Sequence, residues 1–333
     1  MSEYAVFLDQ GSLSSYIEGD RIDYDISFSA LESVSPNWTF YEHTSTDCVS
    51  HRINGATIVV TNKVVIDRDH IKSATQGDHR LKLVCVAATG TNNIDIESAR
   101  EFDVAVCNVT GYATRSVTEH VFALMLALVR RLPEYQKAVL AGKWQRSNTF
   151  SMLDYPITSL AGRKLGIIGY GVLGRAVAQV AKAFGMQVLV AARAGVNLDA
   201  NIELRTFDQL LSEVDVLTLH CPLTEETQHL IGGAELARMN SNALLINTAR
   251  GGIVDEAALA TALKTRQIAG AAIDVLSKEP PDDQQPLLCP DIPNLIVTPH
   301  IAWASQEARQ QLVNEVAENI RAWQSAIKRN RII

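Results

Sequence analysis

Three glycines in the segment LGIIGYGVLGRAVAQVAKAFG, residues 165 to 185, restrict the folds open to this chain. Gly169, Gly171 and Gly174 form a G-x-G-x-x-G motif between an apolar run of strand length and an apolar-periodic helical pattern. In such a unit the first glycine allows a tight turn, the second lets a pyrophosphate approach the backbone, and the third lets helix and strand pack closely. The alternative is a glycine-rich turn in an α/β core. The motif favours a dinucleotide site, whose expected contacts are Gly169, Gly171, Val172, Leu173 and Gly174.

Short apolar runs alternate with helical patterns along the whole chain. Because apolarity within each run is continuous, both faces of each strand should be covered, as in parallel sheets built from βαβ units. A length of 333 residues suits two such domains. The runs form two sets: Ala5–Leu8, Thr39–Tyr41, Thr57–Val60, Leu81–Val86 and Val104–Cys107, then Leu165–Ile168, Val188–Ala191, Val216–Leu219, Leu244–Ile246, Ala271–Val275 and Leu295–Val297. The sequence therefore predicts an α/β protein with two doubly wound parallel-sheet domains.

Two longer helical patterns lie near the expected junctions between these domains. The first, from about Thr114 to Arg131, leads from the first set of strands toward the second. The other, from about Ser305 to Ser325, follows the last strand of the second set and could return the chain to the first domain.

Charge and hydropathy exclude several classes of partner. The net charge is −7 and the pI is about 5.6, which argues against nucleic acid or an anionic membrane as the main partner. The longest clean apolar run, Val121–Val129, is too short to cross a bilayer and predicts a buried helix. The histidines have no metal-ligand spacing, so no metal site is expected.

The five cysteines form no C-x-x-C pair. An odd count without spacing, in a chain that enters a strand near its N-terminus without an export signal, is typical of a reducing cytoplasm. We therefore expect a cytoplasmic location.

The type of dinucleotide should be read at the end of the next strand, QVLVAARAG, residues 187 to 195. An NAD-binding fold usually places Asp or Glu there to bind the ribose 2′-hydroxyl. Ala191 and Ala192 occupy these positions, and Arg193 follows. An arginine beside the ribose favours a 2′-phosphate, so NADP(H) is slightly favoured over NAD(H). A solvated Arg193 in an NAD(H) site is the alternative.

Polar residues follow three strands of the second set where each strand ends. Arg250 follows Leu244–Ile246, Asp274 and Glu279 follow the next strand, and His300 follows the last. Ligands of open parallel sheets bind beyond these carboxyl ends. Reduction of a 2-oxo acid needs a cation for the carboxylate, a proton donor, and a carboxylate that favours the protonated donor. Singly each residue could be a surface or structural group, but together they indicate this chemistry.

These segments resemble the D-isomer-specific 2-hydroxyacid dehydrogenases over essentially the whole chain. The resemblance lies in LGIIGYGVLGRAVA, in MNSNALLINTARGGIVDEAAL, and in the set Arg250, Glu279 and His300. The stretches VAATGTNNID, CNVTGYATRSVTEHVFALMLAL and PHIAWAS are similar to the glycerate dehydrogenase, or hydroxypyruvate reductase, branch. Several members of that branch carry an acid where Ala192 stands, so the usual NAD preference is in question.

The resemblance implies a role for each residue of the set. His300 would protonate the substrate carbonyl while a hydride arrives from the nicotinamide. Glu279 would hydrogen-bond His300 and favour its protonated form. Arg250 would bind the substrate carboxylate and polarise the carbonyl, and backbone amides around Thr89 and Gly90 would bind the other side of that carboxylate.

The resemblance also implies further cofactor contacts and a domain arrangement. A Rossmann cofactor domain, residues 109–299, would be inserted into a flavodoxin-like substrate domain formed by residues 1–108 and 300–333. The family forms homodimers through the cofactor domain. The further cofactor-binding residues implied are Thr114, Ser116, Cys221, Pro222, Thr248, Ala249 and Asp274.

The function expected from this resemblance is NAD(P)H-dependent reduction of hydroxypyruvate and glyoxylate to D-glycerate and glycolate. D-lactate-type and phosphite dehydrogenases share the set of three residues and remain alternatives. A dinucleotide-sensing binding protein is a third reading, which loss of Arg250, Glu279 or His300 would have favoured. All three residues are present.

Overall fold

The computed structural model describes residues 3–13, 16–18, 21–23, 25–76, 80–192 and 202–333. The chain divides into two compact units, one made of Met1–Ala113 with Ala304–Ile333, and the other of Thr114–Trp303. We call them the discontinuous unit and the inserted unit. Their assignment to substrate and cofactor, with the boundaries given above, stays a prediction.

The discontinuous unit contains a five-stranded parallel sheet of order β4-β1-β5-β6-β7 and a separate antiparallel pair, β2 and β3. Its central strands are buried on both faces, as their continuous apolarity predicted. The strands are β1 (Tyr4–Phe7), β2 (Tyr16–Glu18), β3 (Arg21–Asp23), β4 (Asn37–Phe40), β5 (Ile58–Thr61), β6 (Leu83–Val86) and β7 (Ala105–Cys107). The helices between them are α1 (Ser29–Glu32), α2 (Val49–Ile53), α3 (Arg68–Ala74) and α4 (Ile96–Glu101).

The inserted unit contains a seven-stranded parallel sheet of order β10-β9-β8-β11-β12-β13-β14. Its strands are β8 (Lys164–Ile168), β9 (Gln187–Ala191), β10 (Glu203–Arg205), β11 (Val216–Leu219), β12 (Leu244–Asn247), β13 (Gly270–Ile273) and β14 (Leu295–Val297). Its helices are α5 (Thr114–Arg130), α6 (Leu132–Leu140), α7 (Val172–Ala183), α8 (Phe207–Glu213), α9 (Gly233–Arg238) and α10 (Glu256–Lys264). Helix α5 packs on α7, while α9 packs on both α8 and α10, so helices cover the sheet in two groups.

The last helix, α11 (Gln306–Gln324), returns to the discontinuous unit, where it packs on α1. Ser305 is its N-cap and accepts a hydrogen bond from the Ala308 amide. Within the described ranges, no helix is long and apolar enough to cross a membrane.

The predicted fold class is confirmed, and each predicted strand lies within two residues of an observed one. Strands β2, β3 and β10 were not predicted. The sequence of β10, Glu-Leu-Arg, forms a polar and largely exposed edge that leaves no apolar run. Register and strand order then bring the carboxyl ends of β8 and β11–β14 together at one edge of the larger sheet.

Candidate active site

One row of residues crosses the carboxyl edge of the larger sheet. Ile168, Leu219, Asn247, Ile273 and Val297 are paired across β8, β11, β12, β13 and β14. One residue follows each of them at the end of its strand. In three cases its backbone amide donates to the carbonyl of a paired residue on the neighbouring strand. We call these residues the edge row: Gly169, His220, Thr248, Asp274 and Thr298.

The glycine motif lies at the β8 end of this row. Gly169 has φ +95°, and a Cβ there would lie 2.5 Å from the carbonyl carbon of His220. A Cβ on Gly174 would lie 2.3 Å from the Gly169 oxygen, so helix α7 can approach the strand only with glycine at this position. A Cβ on Gly171 would meet nothing within 4 Å, and Val172, the first residue of α7, is exposed. The open helix N-terminus fits a pyrophosphate.

The end of β9 carries no acid, since Ala191 and Ala192 occupy it. Ala192 is exposed, and its amide donates to the Arg205 carbonyl at 2.8 Å. Arg205 itself forms ion pairs with Glu203 and Glu213. Arg193, the residue predicted to favour NADP(H), lies outside the described residues.

The turn after β12 presents Arg250. Asn247, which is 1% exposed, donates from its side-chain amide to the Arg250 carbonyl at 2.9 Å and accepts from the Ala249 amide at 3.0 Å. The Arg250 side chain is exposed, and its Nη1 donates to the Ala249 carbonyl at 2.7 Å. Asn247 was not predicted as a site residue, although a buried amide at the end of an apolar strand was a visible signal.

Glu279 and His300 form a hydrogen-bonded pair. The His300 Nδ1 and the Glu279 Oε2 are 2.6 Å apart, and the Leu276 amide donates to the other carboxylate oxygen at 2.8 Å. A carboxylate only accepts when ionised, so Nδ1 carries a hydrogen. Among the described residues Nε2 has no hydrogen-bond partner, and the His300 side chain is 26% exposed. This arrangement leaves Nε2 directed to a ligand or solvent.

Two contacts hold the loops that carry Arg250 and Glu279 together. A Cβ on Gly251 would lie 1.9 Å from the Leu276 oxygen, so glycine alone permits the close approach of these loops. Glu256, the first residue of α10, accepts from the amide of Ser277 at 2.7 Å and from its hydroxyl at 2.8 Å. Asp255 is the N-cap of α10 and accepts from the Ala258 amide at 3.0 Å.

Asp274 organises the turn that contains His300, whose φ is +56°. Its carboxylate accepts from the Ile301 and Ala302 amides, both at 2.9 Å, and from the Thr298 hydroxyl at 2.5 Å. Burial alone would raise the pKa of Asp274, but His120 at 3.5 Å and the hydrogen bonds from Thr298 and the two amides outweigh burial and hold that pKa below its usual value. Asp274 is therefore ionised near neutral pH, although it is 1% exposed.

Two atoms of the edge row lack hydrogen-bond partners. Within the described residues, the His220 Nδ1 and the Thr248 Oγ1 are buried and unpaired. The other His220 nitrogen, Nε2, lies 3.0 Å from the Thr218 hydroxyl. Buried unpaired polar atoms cost stability and are typical of places where a ligand or water completes the site.

The remaining predicted cofactor contacts are distributed along the same unit. Thr114 begins α5, and the Ser116 hydroxyl donates to the Ala302 carbonyl at 2.7 Å. Cys221 is buried next to His220, and the Pro222 carbonyl accepts from Thr227 at 2.7 Å. The Ser116 hydroxyl therefore donates its hydrogen to another residue of the protein. No sequence pattern indicated this internal hydrogen bond.

The predicted substrate contacts Thr89 and Gly90 lie in the discontinuous unit, in the loop after β6. The Thr89 hydroxyl donates to the Val109 carbonyl at 2.8 Å, and the Thr89 carbonyl accepts from Asn108 at 2.7 Å. The buried Asp9, which follows β1, accepts from the amides of Asn62–Val64, which follow β5. Burial raises the pKa of Asp9, although these amides oppose the shift.

A metal site would need several ligating side chains close together. In the parts of the chain that the structure describes, no group of three or more His, Cys, Asp or Glu residues could hold a metal ion.

Comparison with known proteins gives the family. The family model described as "D-isomer specific 2-hydroxyacid dehydrogenase, NAD binding domain" matches residues 122–302 of this chain. A glycerate dehydrogenase of Methylorubrum extorquens is 43% identical over 323 residues, covering 97% of this chain and 96% of the relative. A hydroxypyruvate reductase of Blautia hydrogenotrophica is 35% identical over 301 residues, covering 89% of this chain and 91% of the relative.

A solved structure agrees with these relatives. The TT0316 protein of Thermus thermophilus superposes with a TM-score of 0.85 at 29% identity, covering 99% of this chain and all of the other. The glycine motif, the paired Glu279 and His300, and these matches lead to one conclusion. The chain belongs to the D-isomer-specific 2-hydroxyacid dehydrogenases, a family of NAD-binding oxidoreductases.

Proposed function

We propose that this protein reduces hydroxypyruvate and glyoxylate to D-glycerate and glycolate with NAD(P)H. The observation that carries the proposal is the Glu279–His300 pair at the same sheet edge as the exposed Arg250. The names of the Methylorubrum and Blautia relatives support this choice of substrate.

The chemistry divides among these side chains. When bound, a reduced nicotinamide dinucleotide would supply the hydride that the substrate carbonyl carbon accepts. His300 donates the proton from Nε2 to the carbonyl oxygen, while Glu279 holds the ring through Nδ1 and stabilises its charge. Arg250 pairs with the substrate carboxylate and polarises the carbonyl, and the backbone amides of Thr89 and Gly90 are the substrate contacts that we propose for the discontinuous unit.

The residues at the edge of the larger sheet fit a dinucleotide. The space above Gly171 and the free helix start at Val172 and Leu173 would hold the pyrophosphate. Cys221 and Pro222 would border the adenosine. The residues proposed near the nicotinamide are Thr114, Ser116, Thr248, Ala249 and Asp274.

We further propose that NADP(H) is accepted at least as well as NAD(H). The absence of an acid at Ala192 removes the carboxylate that would repel a 2′-phosphate. Arg193 would then provide the positive charge for it.

The units, location and assembly follow from the same proposal. The inserted unit would bind the cofactor and the discontinuous unit the substrate. Five free cysteines favour the cytoplasm. A homodimer is supported by exposed apolar side chains from the end of α6 onward, among them Leu140, Phe150 and Leu153.

The assay follows the reduced-nicotinamide absorbance of purified protein. NADH and NADPH are each tried with hydroxypyruvate, glyoxylate, pyruvate and 2-oxoglutarate. We expect fastest turnover with hydroxypyruvate or glyoxylate, and a loss of about 10²- to 10⁴-fold in kcat for His300→Ala because the proton donor is removed.

The control is His43→Ala, which removes an exposed histidine of the discontinuous unit and should leave kcat unchanged. Nucleotide binding without turnover of any of these acids would contradict the proposed function. A clear preference for NADH would contradict the cofactor proposal alone.

A further inference from the structure

The turn that carries His300 has an uncommon backbone conformation. Its φ of +56° lies in the left-handed region, which only a few per cent of residues other than glycine adopt, histidine among the more frequent of them. The His300 amide donates to the carbonyls of Asp274 at 2.8 Å and Thr298 at 3.0 Å. Such a conformation persists only where its surroundings determine it.

The carboxylate of Asp274 is the main group that holds the His300 turn in this conformation. It accepts from Thr298 on one side of His300, and from Ile301 and Ala302 on the other. Because both flanks of His300 bond to one buried group, the geometry of that group sets the direction of the imidazole.

Helix α5 completes this network through His120. Its Nε2 lies 3.1 Å from the Thr298 hydroxyl and 3.5 Å from the Asp274 Oδ1. The single hydrogen of the Thr298 hydroxyl is donated to the ionised Asp274, so that hydroxyl can only accept from His120. This fixes the hydrogen of His120 on Nε2 and gives a directed chain from His120 through Thr298 to Asp274.

Ser116 lies one helical turn before His120 and donates to the Ala302 carbonyl at 2.7 Å. Residues four apart share one face of a helix. One face of α5 therefore bonds to both ends of the His300 turn.

We propose that His120 is a positioning residue for proton transfer: through Thr298 and Asp274 it holds the left-handed turn that directs His300 toward Glu279. The inference rests on the proposed role of His300 as proton donor. It adds a residue on α5, distant in sequence, that never touches the substrate.

The central variant is His120→Leu, which replaces the imidazole, with its N–H donor, by an apolar side chain of similar bulk. We expect kcat with hydroxypyruvate to fall by about 10- to 100-fold, since small misplacement of a reacting group has effects of this size. The dissociation constant for NADH should change less than about twofold, because the glycine motif is untouched. The solvent deuterium isotope effect on kcat should rise as proton transfer becomes slower than hydride transfer.

Conservative variants separate positioning from packing. His120→Gln keeps a nitrogen donor near the place of Nε2 and should recover most of kcat, as should Thr298→Ser. Thr298→Val should reproduce the loss of His120→Leu, and the double variant His120→Leu with Thr298→Val should lose no more than either alone. The matched control is Thr118→Val, since Thr118 is buried and, among the described residues, its hydroxyl bonds only to the Thr114 carbonyl of its own helix.

A crystal structure of His120→Leu tests the geometry without any activity. We expect His300 to leave the left-handed region, or the distance from Nδ1 to Glu279 to exceed about 3.5 Å, the limit of a hydrogen bond. An unchanged His300 turn would overturn the proposal, as would a lowered melting temperature with unchanged kcat and isotope effect. If the wild-type protein turns over none of the acids while the variant turn is displaced, the proposed function fails and the positioning role stands.

Discussion

At the scale of single residues, burial at the sheet edge changes the protonation of His220. It belongs to the edge row, beside the first glycine of the motif, and its Nδ1 is enclosed without a partner among the described residues. Burial lowers the pKa of His220 to about 4 from the ordinary value of 6.5. The imidazole is therefore neutral at the pH at which a cofactor would bind, so it offers a hydrogen bond without adding positive charge.

The pH dependence of stability should report this histidine. Between pH 4 and 6.5 the unfolded chain binds a proton at His220 that the folded protein excludes. The free energy of unfolding therefore rises as the pH rises through this window and decreases as the pH falls through it. The slope that this residue contributes is at most about 1.4 kcal/mol per pH unit. We expect His220→Gln to flatten the slope of urea-derived unfolding free energies there. A variant slope identical to that of the wild type would contradict the assignment, and pH 7 to 8 serves as the internal control.

At the scale of elements, the loops after β12 and β13 behave as one piece. Gly251 allows the first loop to touch the Leu276 carbonyl in the second, and Glu256 binds Ser277 from the start of α10. The Leu276 amide in turn binds Glu279. Contacts between the two loops therefore help to place Arg250 and Glu279.

Gly251→Ala should disturb this arrangement. Its Cβ would lie 1.9 Å from the Leu276 oxygen, so the two loops must separate. We expect a loss of about 1 to 3 kcal/mol in unfolding free energy and of about 10- to 100-fold in kcat, from urea titrations and the reductase assay.

Gly233→Ala in α9 is the matched control for this prediction. The nearest atom to its new Cβ would be 4.0 Å away, and helical backbone accepts alanine readily. Similar results for the two glycine variants would mean that the contact between the loops is not rigid.

At the scale of the whole molecule, the exposed apolar side chains from the end of α6 onward need an explanation. Phe150 is 92% exposed and Leu153 is 80% exposed, and Leu140 and Trp144 lie nearby in sequence with more than half of each surface exposed. Monomeric proteins rarely expose several large apolar side chains in one segment. A second copy of the chain would remove this surface from water.

Light scattering after size exclusion measures the assembly directly. We expect a mass of twice 36.4 kDa for the wild type, and a shift toward the single-chain mass for the double variant Phe150→Ser with Leu153→Ser. Ile327→Ser changes an exposed apolar residue of the discontinuous unit and should leave the mass at that of the dimer. A wild-type mass of one chain would refute the dimer.

Local patterns were enough to predict the fold class, the glycine motif, and the candidates Arg250, Glu279 and His300. Each is written in neighbouring residues: continuous apolarity for a covered strand, glycine spacing for the turn, and a polar residue where an apolar run stops. The separation of 2.6 Å between Glu279 and His300, the contact of Gly251 with Leu276, and the link from His120 to Asp274 had no such local sign. They depend on strand register and on which helix face meets which strand end, and these are fixed by packing between segments far apart in the chain.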